Sequence, residues 1–274
     1  MSSTNTRERA AARARLERQM AEKLEAARKR KKRISIIAAI AGALLVAGGA
    51  VWGISKMGGG GDSKTTPETE QAANNCVWSP DDPKQNPDLK DVGAPATGKA
   101  PDKGTQTMTI TTNLGVVEVE VNTAKAPCTA RSMTYLAGKN FFDNTKCHRI
   151  TTEGIKVLQC GDPAGKGTGG PTYKVAEENL PNFTDDLKAY PIGTIAMANT
   201  GQPTSTGSQF FIVWGDTPLP GKYTVLGKIT KGLDLIQEAA KAGAKNPETG
   251  EDTTDGAPKI EVQIKTVTVT PPQS

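Results

Sequence analysis

The only histidine of the chain, His148, stands beside Arg149, and Gln159 follows ten residues later. No G-x-S-x-G elbow, H-E-x-x-H pair or P-loop accompanies them. The run Gly165-Lys166-Gly167-Thr168-Gly169-Gly170 looks like a phosphate loop. It lacks both the G-K-[ST] ending and a strand–loop–helix setting, so phosphate binding is set aside. Four cysteines, Cys76, Cys128, Cys147 and Cys160, form no C-x-x-C, and one histidine gives no zinc set. No metal and no cofactor is expected. Without a nucleophile or a metal, chemistry here must work by positioning and electrostatics. Taken singly, each candidate has a plainer reading. Arg149 next to His148 reads as a surface pair, and Gln159 as a partner for buried backbone. Of Phe210 and Phe211, alternation puts at least one in a core. His148 itself is read as a packed, hydrogen-bonded structural residue.

The elements that must carry these residues follow from periodicity. Met108, Ile110 and Thr112 alternate with polar residues, Asn113-Leu114-Gly115 supplies a turn, and Val117, Val119 and Val121 alternate with glutamates. This predicts a β-hairpin with one buried face. Pro127 to Ala137 predicts a helix, with proline at its start and Gly138 after its end. Short apolar runs at 147–150, 155–160, 193–198, 209–214 and 223–229 lie between Gly, Pro and Asn turns. Lys231 to Ala242 predicts a second helix. Ile260, Val262, Ile264, Val267 and Val269 predict a last strand within 259–270. The expected class is mainly β, a closed antiparallel barrel with helical caps.

At this point a resemblance becomes specific. Cys147-His148-Arg149-Ile150, Val157-Leu158-Gln159-Cys160-Gly161-Asp162, Gly167-Thr168-Gly169-Gly170, Ala196-Met197-Ala198-Asn199 and Gly207-Ser208-Gln209-Phe210-Phe211-Ile212 occur in that order. The series resembles the HRI, QxGD, GTGG, MAN and GSQFFI motifs of the cyclophilin family, and Gly221 to Gly227 resembles its last active-site strand. The likeness runs from about residue 106 to 270, and with Thr151 to Ile155 it is similar to membrane-anchored actinobacterial members. It implies an eight-stranded antiparallel barrel capped by two helices, and cis/trans isomerisation of X-Pro bonds. The resemblance assigns Arg149 as donor to the twisted amide, Gln159 as its orienting neighbour and Phe211 as floor of the proline pocket. Val157 and Leu219 become walls. Asn199, mainly through its backbone, and Ala198 hold the residue before proline. Tyr223 stands where members often carry His, and Gly167 lines the neighbouring groove. Two departures stand out. Ile155-Lys156-Val157 replaces a Phe-Met pair, and Pro218, where many members carry Trp, precedes Leu219. Weaker binding of cyclosporin-type ligands is expected. A Cys147–Cys160 bond across adjacent strands would leave Cys76 and Cys128 to staple the preceding segment to the first helix. Four cysteines allow three pairings, and the sequence does not choose among them.

The rest of the chain is organised around a charge asymmetry. Residues 1–33 hold twelve Lys/Arg against four Glu, a net of +8, whereas the remainder nets −3. Residues 34–55 follow without a charge, and as a helix they would span about 33 Å, enough for a hydrocarbon core of roughly 30 Å. The basic block Arg28 to Arg33 puts that end in the cytoplasm by the positive-inside rule. The expected organisation is a basic cytoplasmic segment (1–33), a transmembrane helix (34–55), a flexible Pro/Gly-rich linker (56–104), an isomerase domain (105–270) and a tail (271–274). The catalytic domain would then sit outside the cell membrane on a single-pass anchor. A cleaved signal peptide is the competing reading, but the apolar run is long and no A-x-A site closes it. The basic segment reads as a solvated stop-transfer flank, or as a helix on anionic lipid. Nothing in it supports nucleic acid. The Asn75-Cys76-Val77-Trp78 patch is an exception within the linker that would pin part of it to the domain. The expected partners are unfolded or proline-containing polypeptides. Two rivals are kept: a tethered proline-binding module or chaperone without turnover, and a membrane protein whose basic tail is the active part.

Overall fold

The structure is a computed structural model and describes residues 75–181 and 189–273. The expected basic segment, the span at 34–55 and the linker up to residue 74 lie outside the described residues, as does Ser274. Among the described residues no helix is long and apolar enough to cross a membrane.

Alternation produces the first hairpin. Strands β1 (Gln106–Thr112) and β2 (Val116–Val121) pair antiparallel, and every second side chain of each is buried. Seven further strands of three or more residues follow: β3 (Arg149–Thr151), β4 (Val157–Cys160), β5 (Thr194–Met197), β6 (Phe210–Val213), β7 (Val225–Lys231), β8 (Asp255–Pro258) and β9 (Gln263–Val269). They join one sheet in the order β8-β3-β4-β6-β5-β7-β2-β1-β9, extended at its ends by two-residue pieces at 244–245, 252–253 and 145–146. The fold is therefore mainly β, but its hydrogen-bonded order comprises twelve pieces with two ends rather than a ring of eight. Short bridges and bulges divide the strands. One bulge, between Ile264 and Thr266, shifts the alternation of β9, so that Ile264 and Val267 are both buried. Ile260, counted in that strand from the sequence, lies before it and is exposed.

Two helices among the described residues cover the core. Helix α1 (Pro127–Gly138) extends one residue past its predicted end, and α2 (Leu233–Lys241) is shorter than predicted at both ends. The faces they bury, Ala130, Met133 and Leu136 on α1 and Ile236, Ala239 and Ala240 on α2, join Met108, Val119, Phe142, Leu158 and Ile195 in the main core. No side chain of its own turn caps α1. Glu178 does so from fifty residues away, accepting the backbone N–H of Cys128 at 3.1 Å and of Thr129 at 2.8 Å.

Residues 75–104 differ from the flexible linker expected of them. Cys76 is bonded to Cys128 on α1. Asn75–Cys76 pairs with Gly98–Lys99, Ser79–Pro80 with Tyr173–Lys174, and Leu89–Lys90 runs parallel to Gly170–Pro171. Trp78 packs edge-on against Tyr173 at 5.3 Å, and Arg131 of α1 donates to the carbonyls of Ala96, Gly98 and Lys99. Composition argued for disorder because the stretch has too little apolar surface to fold alone. It is ordered because it borrows partners from the domain. The last residues are stitched in too: Gln273 and Thr105 exchange both backbone hydrogen bonds.

Candidate active site

The site grows from one rung of the sheet. Cross-strand register pairs Arg149 of β3 with Gln159 of β4, Gln159 with Phe211 of β6, and Phe211 with Ala196 of β5. Residues paired directly across strands share a face. Their neighbours Ile150, Leu158, Phe210 and Ile195 turn into the main core. Phe211, Val157, Ala196, Val213 and Tyr190 form a smaller apolar cluster on the opposite face, joined by Ile155, Ala198, Leu219 and Tyr223. So Phe210 is core and Phe211 belongs to the site. The bond between Cys147 and Cys160 crosses beside this rung, tying the chain two residues before β3 to the end of β4.

A cavity of about 230 Å³ opens there, lined by Arg149, Ile155, Val157, Gln159, Ala198, Asn199, Phe211, Leu219 and Tyr223. Eight of the nine residues singled out from the sequence for catalysis or substrate binding meet in it. The ninth, Gly167, lines an adjoining cavity of about 430 Å³ that shares Gln159, Ala198 and Asn199 with the first. Gly167 has φ +88°, a backbone conformation that favours glycine, and a Cβ there would sit tightly, 3.3 Å from the His148 ring. Asn86 and Asp88 of the segment 75–104 also line this second cavity. They hold its rim: Asp88 accepts from Lys166 Nζ at 2.6 Å and Thr168 Oγ1 at 2.7 Å, and Asn86 donates to the Thr168 carbonyl at 2.8 Å.

Polar contacts fix the rung. Arg149 Nη1 donates to Gln159 Oε1 at 3.4 Å, a long bond, while Nε and Nη2 each donate to the Asp255 carboxylate at 2.7 Å. That fork raises the guanidinium pKa and holds the Asp255 carboxyl below its ordinary range. Gln159 Nε2 donates to Gln209 Oε1 at 2.9 Å, and Gln209 Nε2 to the Gly169 carbonyl at 2.9 Å. A relay of side-chain amides thus connects Arg149 to the rim of the second cavity. On the apolar side, Phe211 and Tyr223 stack edge to face at 5.4 Å. Tyr190 sits behind both; its hydroxyl donates to the Tyr223 carbonyl at 3.0 Å and accepts the Tyr223 N–H at 2.8 Å. Burial pushes the Tyr190 hydroxyl up to about 12. The Asn199 side chain is engaged with the Lys222 carbonyl and the Gly201 N–H.

Sequence reading missed Asp255, Gln209 and Tyr190. Gln209 lay inside a quoted motif and was visible. Asp255 stands 106 residues from Arg149 and carries no local signal. His148 differs from expectation. It packs against Gly167, but its Nδ1 is buried without a hydrogen-bond partner. Burial, more than the nearby Arg149 charge, lowers its pKa. Lys156, within the altered pocket wall, turns away and places its ammonium 5.9 Å from the Trp214 ring centre. Ile155 and Val157 therefore supply that wall alone. Among the described residues no His, Cys, Asp or Glu group is arranged to hold a metal.

Comparison with known proteins agrees with this geometry. Residues 107–269 match the family model for cyclophilin type peptidyl-prolyl cis-trans isomerases. A chain called probable peptidyl-prolyl cis-trans isomerase B in Mycobacterium leprae is 44% identical over 203 residues, covering 70% of this chain and 66% of that one. Its namesake in Mycobacterium tuberculosis is 42% identical over 204 residues, covering 70% and 63%. The chain thus spans a little under two thirds of the length of these relatives. A crystal structure of a Cryptosporidium parvum cyclophilin type peptidyl-prolyl cis-trans isomerase matches at a TM-score of 0.50 and 25% identity, covering 62% of this chain and 99% of that one. The chain belongs to the cyclophilin type peptidyl-prolyl cis-trans isomerase family.

Proposed function

We propose that this chain catalyses cis/trans isomerisation of X-Pro bonds by stabilising the twisted amide. The observation that carries the reading is the single rung that sets the charged Arg149 and the apolar Phe211 on either side of Gln159, at the mouth of one cavity. Rotation about a peptide bond faces about 18–20 kcal/mol because the C–N bond has double-bond character. Both isomers of X-Pro are populated, and exchange takes tens to hundreds of seconds. In the twisted state the prolyl nitrogen recovers a lone pair and accepts a hydrogen bond it cannot accept when planar. Arg149 supplies that bond, so its contribution falls on the transition state. Phe211, Val157, Leu219 and Tyr223 hold the proline ring, and Ala198 with the Asn199 backbone hold the preceding residue. Gln159 accepts from Nη1 of Arg149 and contacts the substrate. The reaction moves no proton and breaks no covalent bond, in keeping with a site that offers a fixed charge and an apolar clamp.

Further features belong to the same reading. The sheet closes into a barrel through the continuous segment 145–151, which pairs with β9 at 145–146 and with β4 and β8 at 149–151; these pairings support closure. Residues 34–55 anchor the chain in the cell membrane with the basic end in the cytoplasm. The domain acts outside on unfolded, proline-containing exported polypeptides, and the basic segment contacts anionic lipid. Two disulfides support an oxidising compartment.

The test is exchange of an Ala-Pro peptide with the oxidised 274-residue chain and its Arg149→Ala variant. The wild type is expected to accelerate exchange well above background. The variant should lose about 2–3 kcal/mol of transition-state stabilisation, roughly 30- to 160-fold in kcat/KM. A folded wild type that binds proline peptides without accelerating exchange would replace this reading with a binding module, which the loss of aromatic surface from the pocket wall would then explain.

A further inference from the structure

We infer that Asp255 is a positioning residue for the isomerase reaction, holding the Arg149 guanidinium so that only its Nη1 edge faces the prolyl amide. The inference rests on the isomerase reading given above. Arg149 offers three nitrogens. Asp255 takes Nε and Nη2 in a two-point fork at 2.7 Å each. Nη1 points toward Gln159, 3.4 Å away, and both residues line the 230 Å³ cavity. Asp255 itself does not line it. The carboxylate thus grips the guanidinium from the side away from substrate and fixes its plane with two bonds, where Gln159 alone makes one long one.

A planar fork has one matched orientation against a carboxylate, so it removes rotation that a single bond would leave. The backbone supports this. Asp255 opens β8 and pairs with Thr151, while Gly256 pairs with Ile150, so the carboxylate is held by the strand alongside β3. On its other side β8 is closed in by the 244–245 piece, and Gly256 permits that packing, since a Cβ there would come within 2.4 Å of the Lys245 carbonyl oxygen.

An exposed ion pair of this kind contributes little to stability, and the Asp255 side chain is 54% exposed. Its removal should therefore separate catalysis from folding. The experiment measures Ala-Pro exchange by the oxidised chain and by its Asp255→Ala and Asp255→Asn variants, with thermal melts and the Arg149 side-chain Nε–H signal recorded for each. Expected for Asp255→Ala is a kcat lower by roughly ten- to a hundredfold with KM within about twofold. The melt should be unchanged and the Nε–H signal lost to solvent exchange. Asp255→Asn keeps one acceptor and should fall between. Wild-type or faster turnover in both variants overturns the inference while leaving the isomerase reading intact. A fall in KM-linked binding with kcat unchanged also overturns it. A wild type without acceleration overturns the isomerase reading, and this inference with it.

Discussion

His148 is the residue whose role its neighbours hide. It precedes Arg149, yet nothing in the proposed reaction calls on it, and its Nδ1 is buried without a partner. Its pKa lies below the ordinary 6.5 because burial disfavours the imidazolium. The sign follows. Below 6.5 the unfolded chain takes up a proton that the folded chain resists, so stability falls as pH drops from 6.5 toward the folded value and levels off beneath it. Because the chain has no second histidine, a His148→Gln variant isolates the effect. Wild-type melting points are expected to fall between neutral pH and pH 5 more steeply than those of the variant; parallel curves would count against this account. Tyr190 is testable at the same scale. Tyr190→Phe removes both hydrogen bonds to the Tyr223 backbone, at about 1 kcal/mol each. The loosened pocket wall should raise KM for Ala-Pro peptides while kcat holds, read from full saturation curves.

At the scale of elements, two crosslinks do different work. By loop-closure entropy the Cys76–Cys128 bond, spanning 52 residues, should contribute about 4 kcal/mol, and Cys147–Cys160, spanning 13, about 3 kcal/mol. Only the second ties the strands that carry Arg149 and Gln159. Replacing each pair by serine should lower the melting point in both cases. Turnover should drop mainly in the 147/160 variant, and hydrogen exchange should speed up over 75–104 mainly in the 76/128 variant. Equal turnover in the two variants would show that the strand crosslink does not hold the rung. Gly167→Ala should cost about 1–3 kcal/mol from backbone strain, with the His148 ring pushed aside. A melt within about 0.5 kcal/mol of wild type would refute that. The elements themselves were legible where period and length were strong, as in β1, β2 and both helices. The segment 75–104 was not, because two-residue strands have no period to read and their partners lie up to 95 residues away.

For the whole molecule, the arrangement of the site was legible for a different reason. The motifs carrying Arg149, Gln159, Ala198, Asn199 and Phe211 sit on neighbouring strands, so a likeness in sequence order translated directly into neighbours in space. Asp255 escaped because it reaches Arg149 through strand pairing, which leaves no trace in local composition. The twelve-piece sheet escaped because bulges are set by closure and twist rather than by hydrophobic pattern. Location belongs to this scale too. With residues 34–55 acting as an anchor, the chain should sediment with membranes and leave them only in detergent. Release by high salt alone would point to the basic segment as the sole attachment.

The bond from Cys76 to α1 has a consequence for such an anchored chain. It sets the length of the leash. Between Ser55 and Cys76 lie twenty residues, which even fully extended reach no more than about 70 Å. A chain free up to residue 104 would reach roughly 170 Å. Reducing this one bond and freeing the segment would more than double that maximum reach, and would take Asn86 and Asp88 away from the rim of the second cavity. For a chain anchored as proposed, the redox state of this one bond would then set the maximum reach of the domain.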